Sequence, residues 1–411
     1  MRVDNDSATT PGVAVNSTAP LGISRRPALG TAKSAEIFTR IITHGPVSRL
    51  DIGRLTGLSQ AKVTKTVSPL IEGGYVTVGE HAEHSFPGRP VRPLSVVPRS
   101  MIAVGVKVNA EDIFAVTVNL ANEVLGSTRR RLKSHEPAAT IAAIEKSVAS
   151  LIEQLGDDAA HLTGVGVSVS GDIDTSTGTV RHSPLLNWTN VPLGSDLASR
   201  LGLPITVEND VRALAKAEHW FGVGKDASSF AIVTIGAGIG CGIYVNGDVV
   251  VGSHGVAGEI GHLPLASSDA LCVCGRRGCV EAVASSHAIR DAVRRGRDDP
   301  DLTLEDAIHL AHEGDPAAVE AFERAGTAIG AALAATVNLF GPEVVVIAGE
   351  GVMDYDLYER RFREEFLAHA FGAAANCRLV VRRHTFTDWA RGAAVASLRE
   401  TIALSAGSPV E

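Results

Sequence analysis

No stretch of this chain approaches the roughly 18 consecutive apolar residues that a membrane-spanning helix needs. The opening MRVDNDSATTPGVAVNSTAP also lacks the charged-then-apolar layout of a secretory leader. Cysteine is scarce, five in 411 residues, and three of the five fall between positions 272 and 279. That clustering excludes the regularly paired spacing of a secreted disulfide scaffold and points to a reducing compartment, the cytoplasm by default. Positive charge is in short supply as well: the net charge of −8 disfavours non-specific attachment of the whole chain to nucleic acid.

The deficit is unevenly spread. Residues 31–98 hold eight Lys/Arg against five Asp/Glu and residues 1–30 three against two, so residues 99–411 carry −12 of the total. A basic N-terminal module on an acidic body is the asymmetry expected when only the module touches phosphates. The length leaves room for two or three structural units. Residues 1–30, rich in Pro, Ser, Thr and Gly, read as a disordered tail.

Within residues 31–98, KSAEIFTRIITH carries a helical stripe of Ile37, Phe38, Ile41 and Ile42 that Gly45-Pro46 stops. SRLDIGRLTG follows, with Ser48 and Asp51 at capping spacing and Gly57 placed to end a short helix. In SQAKVTKTVSPLIEGG the apolar set Val63, Val67, Leu70 and Ile71 faces inward. Ser59, Gln60, Lys62, Thr64, Lys65 and Ser68 remain on or beside the open face, and Pro69 predicts either a kink or an early helix end. YVTV and the following HAEHSFPGRPVRPLSVV read as a two-stranded ribbon with Gly88-Arg89-Pro90 near its tip. Helix, short helix, helix, ribbon is a winged helix-turn-helix, in which the third helix enters a major groove while Arg89 and Arg92 lie beside the backbone or minor groove. A protein-binding three-helix unit would present apolar anchors there, not small polar and basic groups.

From Met101 the texture changes to strands and tight turns. MIAVGVKVNAEDIFAVTVNLANEVLGSTRRRL reads as a three-stranded meander, and SSFAIVTIGAGIGCGIYVNGDVVVGSHG repeats that layout with Asn246-Gly247 as a hairpin turn. Helical stretches and buried strands, GVGVSVSG and EVVVIAGEG, follow each. An internally duplicated α/β body with a cleft between two lobes is the reading, and such clefts bind small molecules. The turn Gly236-Ala237-Gly238-Ile239-Gly240 lies between strands, so it is no dinucleotide fingerprint; phosphate cradle and tight hairpin stay open as alternatives.

The cysteine cluster HLPLASSDALCVCGRRGCVE has no CxxC redox pair. His262, Cys272, Cys274 and Cys279 instead offer an imidazole and three thiolates, one complete tetrahedral set for a structural Zn²⁺ with no position left for catalysis. Glu259 and Glu281 flank these ligands, and Glu208-Asn209-Asp210 ends the apolar strand LPITV. Carboxylates and an amide converging in a cleft suit the vicinal hydroxyls of a sugar.

GRP, END, GEIGH, CVCGRRGCVE and IAGEGV, in that order, resemble the ROK family (repressors, open reading frames, kinases), over about residues 33–400. The resemblance is to its regulator branch, which has a winged helix at the N-terminus and includes sugar repressors of the xylose and N-acetylglucosamine type. It implies a two-lobed actin-like, RNase H-like fold over residues 99–411. It further implies sugar contacts at Asn209, Asp210, Glu259, His262 and Glu281, with Gly171 and Asn187 as further sugar-side positions, and zinc on His262, Cys272, Cys274 and Cys279. His262 serves both only if one ring nitrogen meets the metal and the other the sugar.

The chain departs from the family's kinases at the first strand. Where those carry a D-x-G-G-T type phosphate motif, GVKVNAED places Lys107 at the Asp and Asn109-Ala110 at the glycines. A lysine cannot hold Mg²⁺, and side chains obstruct backbone approach to phosphate. The expectation is a non-enzymatic sugar-responsive transcriptional regulator, a repressor by family habit. Its partners would be a palindromic operator, a monosaccharide or sugar-phosphate effector, and copies of itself in a dimer or tetramer. The alternative is an ATP-dependent sugar kinase with Asp210 as general base.

Overall fold

The computed structural model describes residues 27, 29–79 and 92–407. Three helices open the described chain: α1 (Ala32–His44), α2 (Arg49–Thr56) and α3 (Gln60–Glu72). Each starts at a hydroxyl N-cap, Thr31, Ser48 and Ser59, whose oxygen accepts from the backbone N–H three residues on. Gly57 closes α2 in the left-handed conformation. Helix α3 runs through Pro69 to Glu72, so the early end does not occur. Ile37, Phe38, Ile41, Ile52, Val63, Val67 and Leu70 form the buried core of this unit, whereas Ile71 is only half-buried. Strands β1 (Val76–Val78) and β2 (Leu94–Val96) pair antiparallel as the ribbon, and the Gly88-Arg89-Pro90 tip lies outside the described residues.

The packed fold begins before residue 31, inside the stretch that the sequence reading gives to the tail. Leu29 is buried against the same core, and the Gly30 N–H donates to the Ser405 carbonyl, because an apolar residue there has a surface to cover.

The body holds two five-stranded sheets of one topology. In the first lobe β3 (Ile102–Val108), β4 (Asp112–Asn119) and β5 (Val124–Arg131) form an antiparallel meander. After α4 (Pro137–Leu155), β6 (Leu162–Val169) pairs parallel to β3; β10 (Ile205–Asn209) then pairs parallel to β6. Between them stand a small antiparallel sheet of β7 (Asp172–Asp174), β8 (Thr179–Ser183) and β9 (Trp188–Val191), and helix α5 (Leu193–Leu201). Helix α6 (Asp210–Phe221) leads to the second lobe.

There β11 (Ser229–Ile235), β12 (Ile239–Val245) and β13 (Asp248–Val249) repeat the meander. Past α7 (Glu281–Ala284), α8 (Ser286–Arg297), α9 (Leu304–His312) and α10 (Pro316–Phe340), β14 (Val344–Ala348) pairs parallel to β11. After α11 (Asp356–His369), β15 (Arg378–Val381) pairs parallel to β14. The strand orders, β10-β6-β3-β4-β5 and β13-β12-β11-β14-β15, are the same pattern twice, as the duplicated texture of the sequence leads one to expect.

The last helix, α12 (Phe386–Ser405), leaves the second lobe and lies with α6 between the two sheets. Two glycines permit this. A Cβ on Gly105 of β3 would stand 1.9 Å from the Ala390 carbonyl, and one on Gly166 of β6 the same distance from Ala393. The apolar side of α12, including Ala394, Leu398 and Ile402, joins a single core with Trp220 of α6 and the side chains of α1 and α3. The N-terminal unit is therefore packed onto α6 and α12, the two helices that also touch both sheets.

Candidate sugar site and metal centre

Strand β10 ends and α6 begins at Asn209, whose side-chain oxygen caps the Arg212 N–H at 3.1 Å and whose amide donates to the Gly171 carbonyl at 3.0 Å. Gly171, at φ +124, could carry no side chain there, since a Cβ would sit 2.2 Å from the His182 carbonyl. Asp210 follows in the first turn of α6. Its carboxylate is buried and forms an ion pair with the buried Lys107 ammonium from β3, which also lies 5.3 Å from the centre of the Trp389 ring.

Behind Asp210 the helix is anchored by a second charged group. Glu208 is fully enclosed and accepts from Arg212 Nε at 2.7 Å and Lys216 Nζ at 2.6 Å. Burial alone would raise its pKa, but the two cations outweigh that and hold it down at about 2. Arg212 donates further to the carbonyls of Gly255 and Ile173, tying the helix to both lobes.

The second lobe contributes Glu259, His262 and Glu281. Gly258 and Gly261 press their backbones against β12: a Cβ would come within 2.1 Å of the Cys241 carbonyl and 2.3 Å of the Ile239 carbonyl, respectively. That is the physical need behind GEIGH. It leaves Glu259 and His262 on a tight 3₁₀ turn, Ile260–His262, beside the β11–β12 hairpin. Glu281 Oε2 accepts from the Ile239 N–H of the same hairpin at 3.1 Å.

Glu259 opens toward solvent, yet its enclosing walls and the charges of Asp210 and Glu281 raise its pKa against the pull of His262 and Arg212. Those influences show that Asp210, Glu259, His262 and Glu281 share one electrostatic neighbourhood drawn from both lobes. Asn209 abuts it from the α6 cap. Asn187 instead sits exposed in the β8–β9 turn with a left-handed φ of 55°, and no contact among the described residues places it in this group.

His262, Cys272, Cys274 and Cys279 converge, with their ligand atoms all within 4.8 Å of one another. Cys272 Sγ stands 3.7 Å from His262 Nδ1, and Cys274 Sγ 3.8 Å from Cys279 Sγ. Bonds of about 2.0–2.3 Å to a tetrahedral centre produce separations of this size. Left-handed Gly275 and Gly278 turn the loop, and Cys272 N–H donates to the Arg276 carbonyl across it. Because Nδ1 faces the thiols, Nε2 remains as the nitrogen available to a second partner.

Two features escaped the sequence reading. One is the Lys107–Asp210 ion pair, whose members lie 103 positions apart. The other is Glu350, in IAGEGV, whose carboxylate accepts from the Ala237 N–H at 2.7 Å. The glycine turn that sequence leaves open between phosphate cradle and hairpin is the tight turn of β11–β12, with a carboxylate already seated on its backbone. On α3, Ser59, Gln60, Lys62, Thr64 and Lys65 are exposed and Ser68 half-buried; Arg92 is exposed, and Arg89 lies outside the described residues.

A family model described as "ROK family" matches residues 103–399. The chain is 30% identical over 325 residues, 77% of its length and 80% of the relative's, to the DNA-binding transcriptional dual regulator NagC of Escherichia coli K12. It is 27% identical to the xylose repressor of Bacillus subtilis 168, covering 83% of this chain and 88% of that one. Among solved structures, a ROK family transcriptional regulator, a homologue of the Escherichia coli MLC protein, superposes with a TM-score of 0.78. It shares 26% identity over 92% of this chain and 98% of its own. A ROK family glucokinase from Streptomyces griseus, in complex with glucose and AMPPNP, superposes with a TM-score of 0.62 at 26% identity, over 72% of this chain and 98% of its own.

Proposed function

Since the chain belongs to the ROK family, we propose that it is a sugar-responsive transcriptional repressor that binds operator DNA through α3 and its ribbon. The observation that carries this reading is the Lys107–Asp210 ion pair. The carboxylate that would have to accept a proton from a sugar hydroxyl in phosphoryl transfer is held by a buried cation. That cation stands where a kinase of the family would need an acidic metal ligand. Glu350 adds a negative charge on the Gly236–Gly240 turn, which repels phosphate. A kinase reading draws support from the glucokinase likeness and the retained Asp210, but the Lys107–Asp210 ion pair and Glu350 oppose it.

The effector would be a monosaccharide or its phosphate, contacted by Asn209, Asp210, Glu259, His262 and Glu281. These groups offer carboxylate acceptors, an amide and an imidazole, the complement that adjacent hydroxyls require. His262, Cys272, Cys274 and Cys279 would hold Zn²⁺, and all four donors being protein atoms makes the metal structural. When bound, the metal neutralises thiolate charge and stiffens the loop, while this chain's His262 keeps Nε2 toward the sugar.

Signal transfer follows from connectivity. Asp210 starts α6 and Trp220, in its last turn, packs into the N-terminal core, so a shift at one end moves the surface on which the DNA-binding unit rests. In a dimer, two such units must match half-sites at fixed spacing. The test is operator binding with and without a panel of monosaccharides and their phosphates, run beside an ADP-release assay. Release of operator by one sugar, absent in Asp210→Asn and Glu259→Gln proteins that still bind operator, is expected; brisk ADP release with a hexose would overturn the reading.

A further inference from the structure

Residues 250–258 run from β13 to the 3₁₀ turn that bears Glu259 and His262, and they form neither helix nor strand. One end is fixed to the second lobe, where Gly258, at φ +89, presses on the Cys241 carbonyl. Within the segment the Gly255 N–H donates to the Gly252 carbonyl at 3.2 Å and the Ala257 N–H to the Val251 carbonyl at 3.1 Å. Two arginines from outside that lobe grip the rest. Arg181 of β8 donates to the His254 carbonyl at 3.3 Å, and Arg212 of α6 to the Gly255 carbonyl at 2.7 Å.

Arg212 is nearly removed from solvent and spends its guanidinium on four groups. Nε donates to Glu208 at 2.7 Å and Nη1 to the Gly255 carbonyl; Nη2 serves the Ile173 carbonyl at 3.2 Å and the Thr175 hydroxyl at 3.4 Å. Each partner stands beside a piece of the proposed sugar site. Glu208 precedes Asn209-Asp210, Ile173 and Thr175 follow Gly171, and Gly255 leads into Glu259. Neutralising Glu208 does not require this fork, because Lys216 reaches the same carboxylate at 2.6 Å. Spanning three segments does require it: five N–H donors in one rigid plane can face three directions, whereas an ammonium offers its donors from a single atom.

We infer that Arg212 is the positioning residue of the effector site: it straps residues 252–258 to β7 and α6, and so sets where Glu259 stands relative to Asn209 and Asp210. The inference rests on the sugar reading of that cleft and names the side chain that assembles the cleft from both lobes. A sugar held by Asp210 and Glu259 draws on the two segments that Arg212 already ties. Binding therefore meets a preformed geometry and does not have to order the strap. Without the fork, the same carboxylates remain but the ordering cost falls on the ligand.

Hydrogen exchange by mass spectrometry on the full chain without sugar reads the strap, and titration with glucose, xylose and N-acetylglucosamine reads the site. Arg212→Lys keeps the charge beside Glu208 and loses the span. It is expected to speed exchange at least tenfold in peptides covering 252–258, to leave peptides of α10 as in the unaltered chain, and to weaken at least tenfold whichever of the three sugars binds. Lys216→Gln removes the other cation from Glu208 and should leave exchange at 252–258 unchanged. Arg181→Gln loosens the exposed end of the strap, with faster exchange around His254, and decides the matter should Arg212→Lys fail to fold. Unchanged exchange at 252–258 in both arginine variants, an equal rise in α10, the same rise in Lys216→Gln, or undiminished sugar binding by Arg212→Lys would each overturn the inference. If none of the three sugars binds the unaltered chain, the sugar reading is what fails, and the exchange comparison still decides whether Arg212 holds the strap.

Discussion

Lys107 is one residue whose identity decides the chemistry of its surroundings. A lysine nearly removed from solvent is costly unless a carboxylate neutralises it, and Asp210 does so while being almost as enclosed. Substituting Lys107→Met strands the Asp210 charge and is expected to cost about 3–5 kcal/mol in urea unfolding. The Lys107→Met/Asp210→Asn double variant should recover most of that. Equal loss in single and double variants would show that the pair is not what holds β3 to α6.

Glu208 behaves differently, because two cations and a backbone N–H make its ionised form the stable one. Its folded pKa of about 2 lies below the unfolded value of about 4.3, so its contribution is complete above the unfolded value and drains away as pH falls toward 2. Stability of the unaltered chain should decline by about 3 kcal/mol at most across that window from this group. Glu208→Gln should flatten the decline, measured as unfolding midpoint against pH.

At the scale of elements, the His/Cys loop of the candidate metal centre and α12 show two ways of fixing geometry. The loop is a local object: four donors within 18 positions, turned by two left-handed glycines. Cys274→Ser is expected to lower bound metal below stoichiometric by elemental analysis and to lower the unfolding temperature. An unchanged metal content would remove Cys274 from the ligand set. Helix α12 is a long-range object, seated only because Gly105 and Gly166 have no side chains where Ala390 and Ala393 approach.

The elements themselves were legible. Apolar periodicity placed α1, α2 and α3, and their Ser and Gly caps sit where the pattern put them. The repeated meander announced the duplication. Pro69 misled in one of its two readings: the helix continues, because Val63, Val67 and Leu70 bury regardless of one lost backbone hydrogen bond. Glu350 could not be found by periodicity, since nothing local marks a glutamate that reaches a glycine turn 113 positions earlier.

For the whole molecule, the charge asymmetry translates into a division of labour. The exposed face of α3 carries Lys62 and Lys65 with small polar neighbours, and under the proposed function the acidic body would confine DNA contact to that end. Lys65→Ala should weaken operator binding and reduce the slope of log affinity against log salt by about 0.9, the contribution of one phosphate. An unchanged slope in a salt titration would take Lys65 out of the interface.

Taken alone, the sequence determined whatever depends on neighbours along the chain: helix stripes, caps, hairpin turns, and the His262, Cys272, Cys274 and Cys279 donor set. Local spacing decides those through backbone geometry and short-range hydrogen bonds. Tertiary structure alone decided which charges meet. Lys107 with Asp210 and Glu350 with the glycine turn are set by the docking of lobes and helices. A buried or half-buried ion finds its partner across space, and no periodicity in the chain records that distance.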